Sequence, residues 1–400
     1  MKIYHMTEEP YPDAWSASQE SLRVTLPNVH CDPKVAGDLF HRYLDEWVLC
    51  DELGINLFLN EHHATATCMT SSVNLILAIC ARITSKVRML CLGMPIGNRT
   101  DPVRVAEEVA IIDVISRGRL DLGFVRGVPY EVVPSNANAV RGGDRFWEAH
   151  DLIVKAMTTH DGPFSWEGEF YDYRSVNIWP RPLQQPHPPI WISANTPSSV
   201  TRIAEHGYVL GTVMTGYKAK DLFAEYRRVW RESGRQSDPL DRLCYCSFVA
   251  VGRTEEEGLR RADKVMQYLR SNAIVSEAFK NPPGYAPAIA NARNFLKTGQ
   301  IGLPQDHNLY TKDGERMCLF RDASVEQTIS GGLMFAGTAD QVYDQIIDFY
   351  ETVGGFEHLQ MMAQAGSMTH EETCDSLTLF AKYVKPRLEE YYANARLAVA

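Results

Sequence analysis

Apolar runs of strand length alternate with stretches of helical period along nearly the whole chain. The runs at residues 2–6, 56–63, 87–96, 119–127, 190–195, 208–214, 242–252 and 358–364 read as buried strands. Between and after them, residues 35–53, 69–84, 101–116, 141–160, 197–206, 217–233, 254–273, 338–353 and 369–392 repeat apolar positions at helical spacing. Such alternation builds parallel βαβ units, and eight strands suit closure into a (β/α)8 TIM barrel with long insertions at its C-terminal mouth. A doubly wound open sheet is the alternative. No GxGxxG follows the first strand, which weakens that option.

Three stretches break the rhythm inside what reads as one barrel domain, residues 1–400. Residues 7–34, with several prolines, Tyr11 and Trp15, are expected to loop over the barrel mouth. Residues 161–189 read as a hairpin and then a proline-rich lead into the fifth strand. Residues 274–335 are rich in Gly, Pro and Asn, show no clear barrel element, and read as a lid or irregular insertion. From Val73 to Ile83 only Asn74 and Arg82 are polar, and Val109 to Ile115 is similar. An outer barrel helix needs only one apolar stripe, so these two helices are expected to form a homodimer interface.

Composition narrows the function classes. The 400 residues are 45% hydrophobic, enough for a large core, and the formal net charge of −10 argues against nucleic acid or an anionic membrane as partner. No run of eighteen apolar residues occurs, and the first residues lack a secretory pattern, so a cytoplasmic location is expected. The nine cysteines are scattered, several in apolar segments (Cys80, Cys91, Cys244, Cys246), as reduced packing residues are. No Cys or His pairs stand at zinc spacing, and no metal is expected.

The chemistry-bearing residues fall at strand ends, where barrel enzymes keep their sites. Strand two ends in Asn60-Glu61-His62-His63. If alternation continues, Phe58, Asn60 and His62 face the interior, and a histidine there can move a proton near neutral pH. Taken alone, a hydrogen-bonded structural histidine is the commoner case. Asn195 closes strand five; Thr196 then caps a helix whose first residue is Pro197, and Ser199 adds a hydroxyl, together an anion-shaped helix start. An ordinary cap with nothing bound has the same sequence. In strand four, Leu120, Leu122 and Phe124 share one parity, which would bury Arg126 unpaired if the strand went on. The strand is therefore expected to stop near Val125, freeing Arg126 for an anion at the mouth or a surface ion pair. In strand three, Gly93 would let a flat ring approach, ahead of Met94 and Pro95. Gln360 and Gln364 share one parity of strand eight, and Trp15, Tyr130, Tyr217 and Tyr310 could line a pocket or pack loops.

In order and spacing, these pieces resemble the bacterial luciferase-like, flavin-dependent monooxygenase family. The matching stretches are Asn60-Glu61-His62-His63, Asp101-Pro102-Val103-Arg104-Val105-Ala106-Glu107-Glu108, Asp113-Val114-Ile115-Ser116-Arg117-Gly118-Arg119-Leu120 and Gly123-Phe124-Val125-Arg126-Gly127, with a looser likeness at Gly337-Thr338-Ala339-Asp340. The resemblance implies a (β/α)8 barrel with reduced FMN at its mouth, supplied by an NAD(P)H:flavin reductase, and O2 as co-substrate. Oxygen would add at flavin C4a, and the peroxyflavin would oxidise a small organic molecule. It implies that His62 is the active-site histidine, with His63 its less critical neighbour. Asn60, Met94 and Val125 would lie around the flavin, Met94 beneath the ring, and Arg126, Asn195, Thr196 and Ser199 would hold its phosphate. Light-emitting members carry a reactive cysteine where this chain has Val125, and a glutamate where it has Asn195. The first difference argues against light emission as its role. An F420-dependent hydride-transfer enzyme on the same barrel and a non-catalytic flavin-binding protein are the rival readings.

Overall fold

The computed structural model describes residues 1–18, 20–272, 275–286, 288–299 and 308–399. Eight parallel strands close a barrel: β1 Lys2–Thr7, β2 Asn56–Leu59, β3 Met89–Pro95, β4 Leu120–Val125, β5 Ile190–Ser193, β6 Val209–Val213, β7 Leu243–Gly252 and β8 His358–Gln364. Each pairs with the next in chain order, and β8 returns to β1. Following the register once round the ring returns to β1 about eight residues displaced, the stagger an eight-stranded barrel requires.

Period-2 alternation divides the side chains between two cores. Tyr4, Met6, Phe58, Leu90, Leu92, Trp191, Cys244, Cys246 and Met362 pack with one another inside the ring. Ile3, Leu57, Leu59, Cys91, Leu122 and Phe124 pack in the outer core, with apolar side chains of the surrounding helices. The strands read as unbroken apolar runs because both of their faces are covered.

Three elements differ from the sequence reading. A ninth parallel strand, Met334–Thr338, begins at the very end of the 274–335 segment, expected to hold no barrel element, and pairs with the second half of β7 from Phe248 to Gly252. It is short, preceded by Gly331 and Gly332, and itself contains Gly337, so its apolar signal is weak. β2 stops at Leu59 rather than running on to His63. The last helix is interrupted by a π turn, Phe380–Val384, between His370–Leu379 and Lys385–Val399. The hairpin expected after residue 161 is present as Phe164–Glu167 paired with Asp172–Val176. Of the segment 274–335, residues 274, 287 and 300–307 lie outside the described residues.

On the helices Val73–Ile83 and Pro102–Ser116, which pack together, Leu75, Ile79, Ile83, Ile111, Val114 and Ile115 are exposed. Cys80, Cys91, Cys244 and Cys246 are buried free thiols. Among the described residues no helix is long and apolar enough to cross a membrane.

Candidate active site

The strand register decides which residues share a rim. Leu59 pairs with Cys91, Met94 with Phe124, and Phe124 with Ile192, so the chain leaves β2, β3, β4 and β5 at one end of the barrel. Asn60–His63, Ile96–Arg99, Arg126–Gly127 and Ala194–Ser199 therefore all emerge at the C-terminal mouth.

His62 sits there between two buried carboxyl groups. Its Nδ1 is 2.8 Å from Glu131 Oε1, and its Nε2 is 3.6 Å from Glu8 Oε2. Glu131 is 1% exposed and also accepts the His63 backbone N–H at 3.0 Å, so one carboxylate holds both histidines of the motif. Burial alone would lower the His62 pKa, but the Glu131 and Glu8 carboxylates outweigh it and the net shift is upward. Burial would likewise raise Glu131; the charge and hydrogen bond of His62 reverse this and hold its carboxyl below the usual range. In the neutral imidazole, Nδ1–H donates to Glu131, which leaves Nε2 as the atom free to exchange a proton.

Glu61 organises the next layer. Its Oε1 contacts His63 Nε2 at 3.1 Å and accepts from Arg99 Nη2 at 2.5 Å, while Oε2 accepts the backbone N–H of Val73 at 3.2 Å. That last bond satisfies one of the open donors at the start of the helix Val73–Ile83. Tyr130 reaches His62 Nδ1 with its hydroxyl at 3.3 Å, and the Arg23 guanidinium lies 4.4 Å from the centre of the Tyr130 ring. Arg23 is carried by the 7–34 loop, which bridges to Thr65 and to Val275 and so ties two of the long insertions together over this rim.

A guanidinium and a helix start follow the ends of β4 and β5. β4 ends at Val125, and Arg126 leaves the sheet with its guanidinium 4.0 Å from the Tyr285 ring centre. Tyr285 also donates its hydroxyl to the Gly127 carbonyl at 2.8 Å. The cavity bounded by Asn98, Arg126, Gly142 and Tyr285 is about 10 Å³, too small for a phosphate. After the neighbouring strand β5 the helix Pro197–His206 begins, and the Thr196 hydroxyl lies 2.9 Å from that of Ser199 and makes no bond to a backbone N–H of the helix start. Both residues are exposed. Asn195 is committed locally, its amide exchanging two 3.3 Å bonds with the backbone of Val213.

The Met94 side chain packs away from the barrel interior. Alternation from Leu90 and Leu92 would point it inward, but a register shift between Cys91 and Met94 turns it into the outer core, fully buried. Leu92 is the interior side chain here, and the Leu92–Gly93 peptide is cis. Gly93 has a packing reason to be glycine, because a Cβ there would meet Val125 Cγ1 at 2.6 Å. Of the four aromatics singled out, only Tyr130 contacts His62. Trp15 donates to the Ala66 carbonyl, Tyr217 packs on Phe349, and Tyr310 lies under Lys218. Gln364 accepts from the Thr7 hydroxyl, and Gln360 is buried without a hydrogen bond among the described residues. Sequence reasoning missed Glu8, Glu131 and Arg23, all in loops without periodic signal. Among the described residues no group of three or more His, Cys, Asp or Glu side chains could hold a metal ion.

A (β/α)8 barrel with a carboxylate-held histidine and an anion-shaped helix start at one mouth defines a class, and comparison with known proteins narrows it. The model of the luciferase-like monooxygenase family matches residues 22–355, and the chain belongs to that family. It is 31% identical over 191 residues to the oxygenase component of a flavin-dependent trigonelline monooxygenase from Acinetobacter baylyi, a match covering 47% of this chain and 52% of that one. The match thus spans about half of that relative. The monooxygenase RslO1 from Streptomyces bottropensis superposes with a TM-score of 0.71 at 21% identity, covering 97% of this chain and 100% of that one. The oxygenating constituent of 3,6-diketocamphane monooxygenase from Pseudomonas putida, a type II Baeyer–Villiger enzyme solved with FMN, gives 0.69 at 17%, covering 96% and 98%. At these identities the two structures share the fold.

Proposed function

We propose that this chain is the oxygenase of a two-component flavin-dependent monooxygenase. It takes reduced FMN from a separate NAD(P)H:flavin reductase and uses O2 to put one oxygen atom into a small organic substrate. The observation that carries this reading is His62 held between Glu131 and Glu8 at the same rim as Arg126 and the Thr196–Ser199 helix start. The donor set suits a phosphorylated flavin: a guanidinium, two exposed hydroxyls and a helix start for a dianionic phosphate.

Arg126, Thr196 and Ser199 would hold the phosphate, and Asn195, whose amide is taken up by Val213, would contribute through its backbone. Asn60, Leu92 and Val125 would bound the ring, with Leu92 in place of Met94. Bound reduced FMN supplies the electrons and the carbon at which oxygen is activated. His62 Nε2 delivers or accepts the proton that oxygen transfer requires, and Glu131 fixes which nitrogen faces the reaction. The 7–34 loop and the 274–335 segment, proposed as a lid, exclude water. The reading includes a homodimer built on the helices Val73–Ile83 and Pro102–Ser116, whose exposed stripe is otherwise unexplained.

The test uses the purified chain, a flavin reductase, NADH and oxygen-18, with candidate substrates followed by mass spectrometry. One labelled oxygen atom per product is expected, with no requirement for F420. His62→Ala should bind FMN as tightly as the parent yet turn oxygen into hydrogen peroxide in place of product. Full product yield from that variant would refute the role of His62.

A further inference from the structure

Arg23 is charged, buried and unmatched. It is 2% exposed, and among the described residues its Nε and Nη1 have no hydrogen-bond partner. Among the described residues no ion pair includes it, and its guanidinium lies against the face of Tyr130. Of the nearby carboxyl groups, Glu131 is bonded to His62 Nδ1 at 2.8 Å, and Glu8 lies 3.6 Å from His62 Nε2 and forms no ion pair with Arg23 among the described residues. Glu9, buried alongside Glu8, has its pKa raised by burial to about 8, so at neutral pH it is mainly the uncharged acid and supplies no counter-charge. A guanidinium sealed from water without an acceptor is costly, and proteins keep one only where something pairs with it.

We propose that Arg23 binds a carboxylate of the substrate, so that the enzyme acts on small carboxylic acids. The planar fork of a guanidinium matches a carboxylate with two parallel N–H donors, where a lysine would offer a single point charge. Tyr130 links this anchor to His62, its ring against the guanidinium and its hydroxyl 3.3 Å from Nδ1. An acid held by Arg23 would therefore lie against the same tyrosine that contacts His62. The inference rests on the oxygenase reading for the reaction, though not for the binding.

The experiment is calorimetric titration of the full chain, with and without FMN, using benzoate and its neutral isostere benzamide, with acetate and nicotinate as further carboxylates. Benzoate should bind about tenfold or more tightly than benzamide, and Arg23→Met should abolish the difference, with Arg23→Lys between. Arg23→Met should also melt no lower than the parent, since it removes a buried unpaired charge. Equal affinities for benzoate and benzamide would overturn the proposal. So would unchanged benzoate binding by folded Arg23→Met, or no binding of any of the three carboxylates at about millimolar concentration. If Arg23→Met does not fold, the benzoate–benzamide contrast and Arg23→Lys decide. FMN binding, followed by quenching of flavin fluorescence, is read separately. Its failure in the parent chain would sink the oxygenase reading and leave the carboxylate site standing or falling by its own titration.

Discussion

Replacing Glu131 with Gln keeps the shape and hydrogen-bonding capacity of the side chain while deleting its charge. His62 then loses the nearer of the two carboxylates that raise its pKa, and burial, which lowers it, gains weight. Each unit by which that pKa falls corresponds to about 1.4 kcal/mol of coupling. The sign follows from linkage. A histidine whose folded pKa is raised adds stability that is fully present below its unfolded value and is lost as pH rises through the folded value. Glu131 is lowered, so its own contribution persists above its unfolded value and is lost only as pH falls through its folded one. The variant should therefore be destabilised most near about pH 5.5 and least near about pH 9, where roughly 1 kcal/mol remains from the weakened bond to the His63 N–H. Urea unfolding at the two pH values measures the gap, and an NMR titration of the His62 ring measures the cause. In the same variant, the pH limb of product formation assigned to His62 should move to lower pH. A stability gap equal at both pH values, or an unmoved His62 titration, would show that Glu131 does not set the protonation of this histidine.

Tyr285 covers Arg126 through a ring–guanidinium contact and a 2.8 Å bond to Gly127, worth together about 1–3 kcal/mol by the usual magnitudes. Tyr285→Ala should accordingly tighten FMN binding about tenfold by flavin-fluorescence quenching, and weaker binding would remove Tyr285 as a cover. The double change Leu75→Glu, Ile79→Glu places charges in the exposed apolar stripe and should convert a dimer into a monomer by light scattering, with little effect on the fold. A parent chain that is already monomeric at micromolar concentration would end the dimer proposal.

Legibility followed the distance over which each signal acts. The eight ring strands could be read because a barrel strand covered on both faces is an unbroken apolar run, a local property. Where β4 ends was also readable, since continuing it would have buried Arg126 unpaired. Parity failed where a bulge intervened. Leu90 and Leu92 face inward, and the shift after Cys91 sent Met94 outward, an irregularity that no composition signals.

The electrostatic half of the site lay beyond sequence reasoning for a related reason. Glu131 is 69 residues from His62, in a short turn with no period, and Glu8 lies in the loop after β1. Yet these two groups decide what the histidine can do. A buried imidazole without carboxylates has its pKa pushed down, as burial does to His5 and His358, both lowered to about 3. Such a ring stays neutral at physiological pH and has no proton to spare. The motif places a histidine at the mouth, but the fold alone, by bringing two distant carboxyl groups to its two nitrogens, raises that histidine's affinity for a proton.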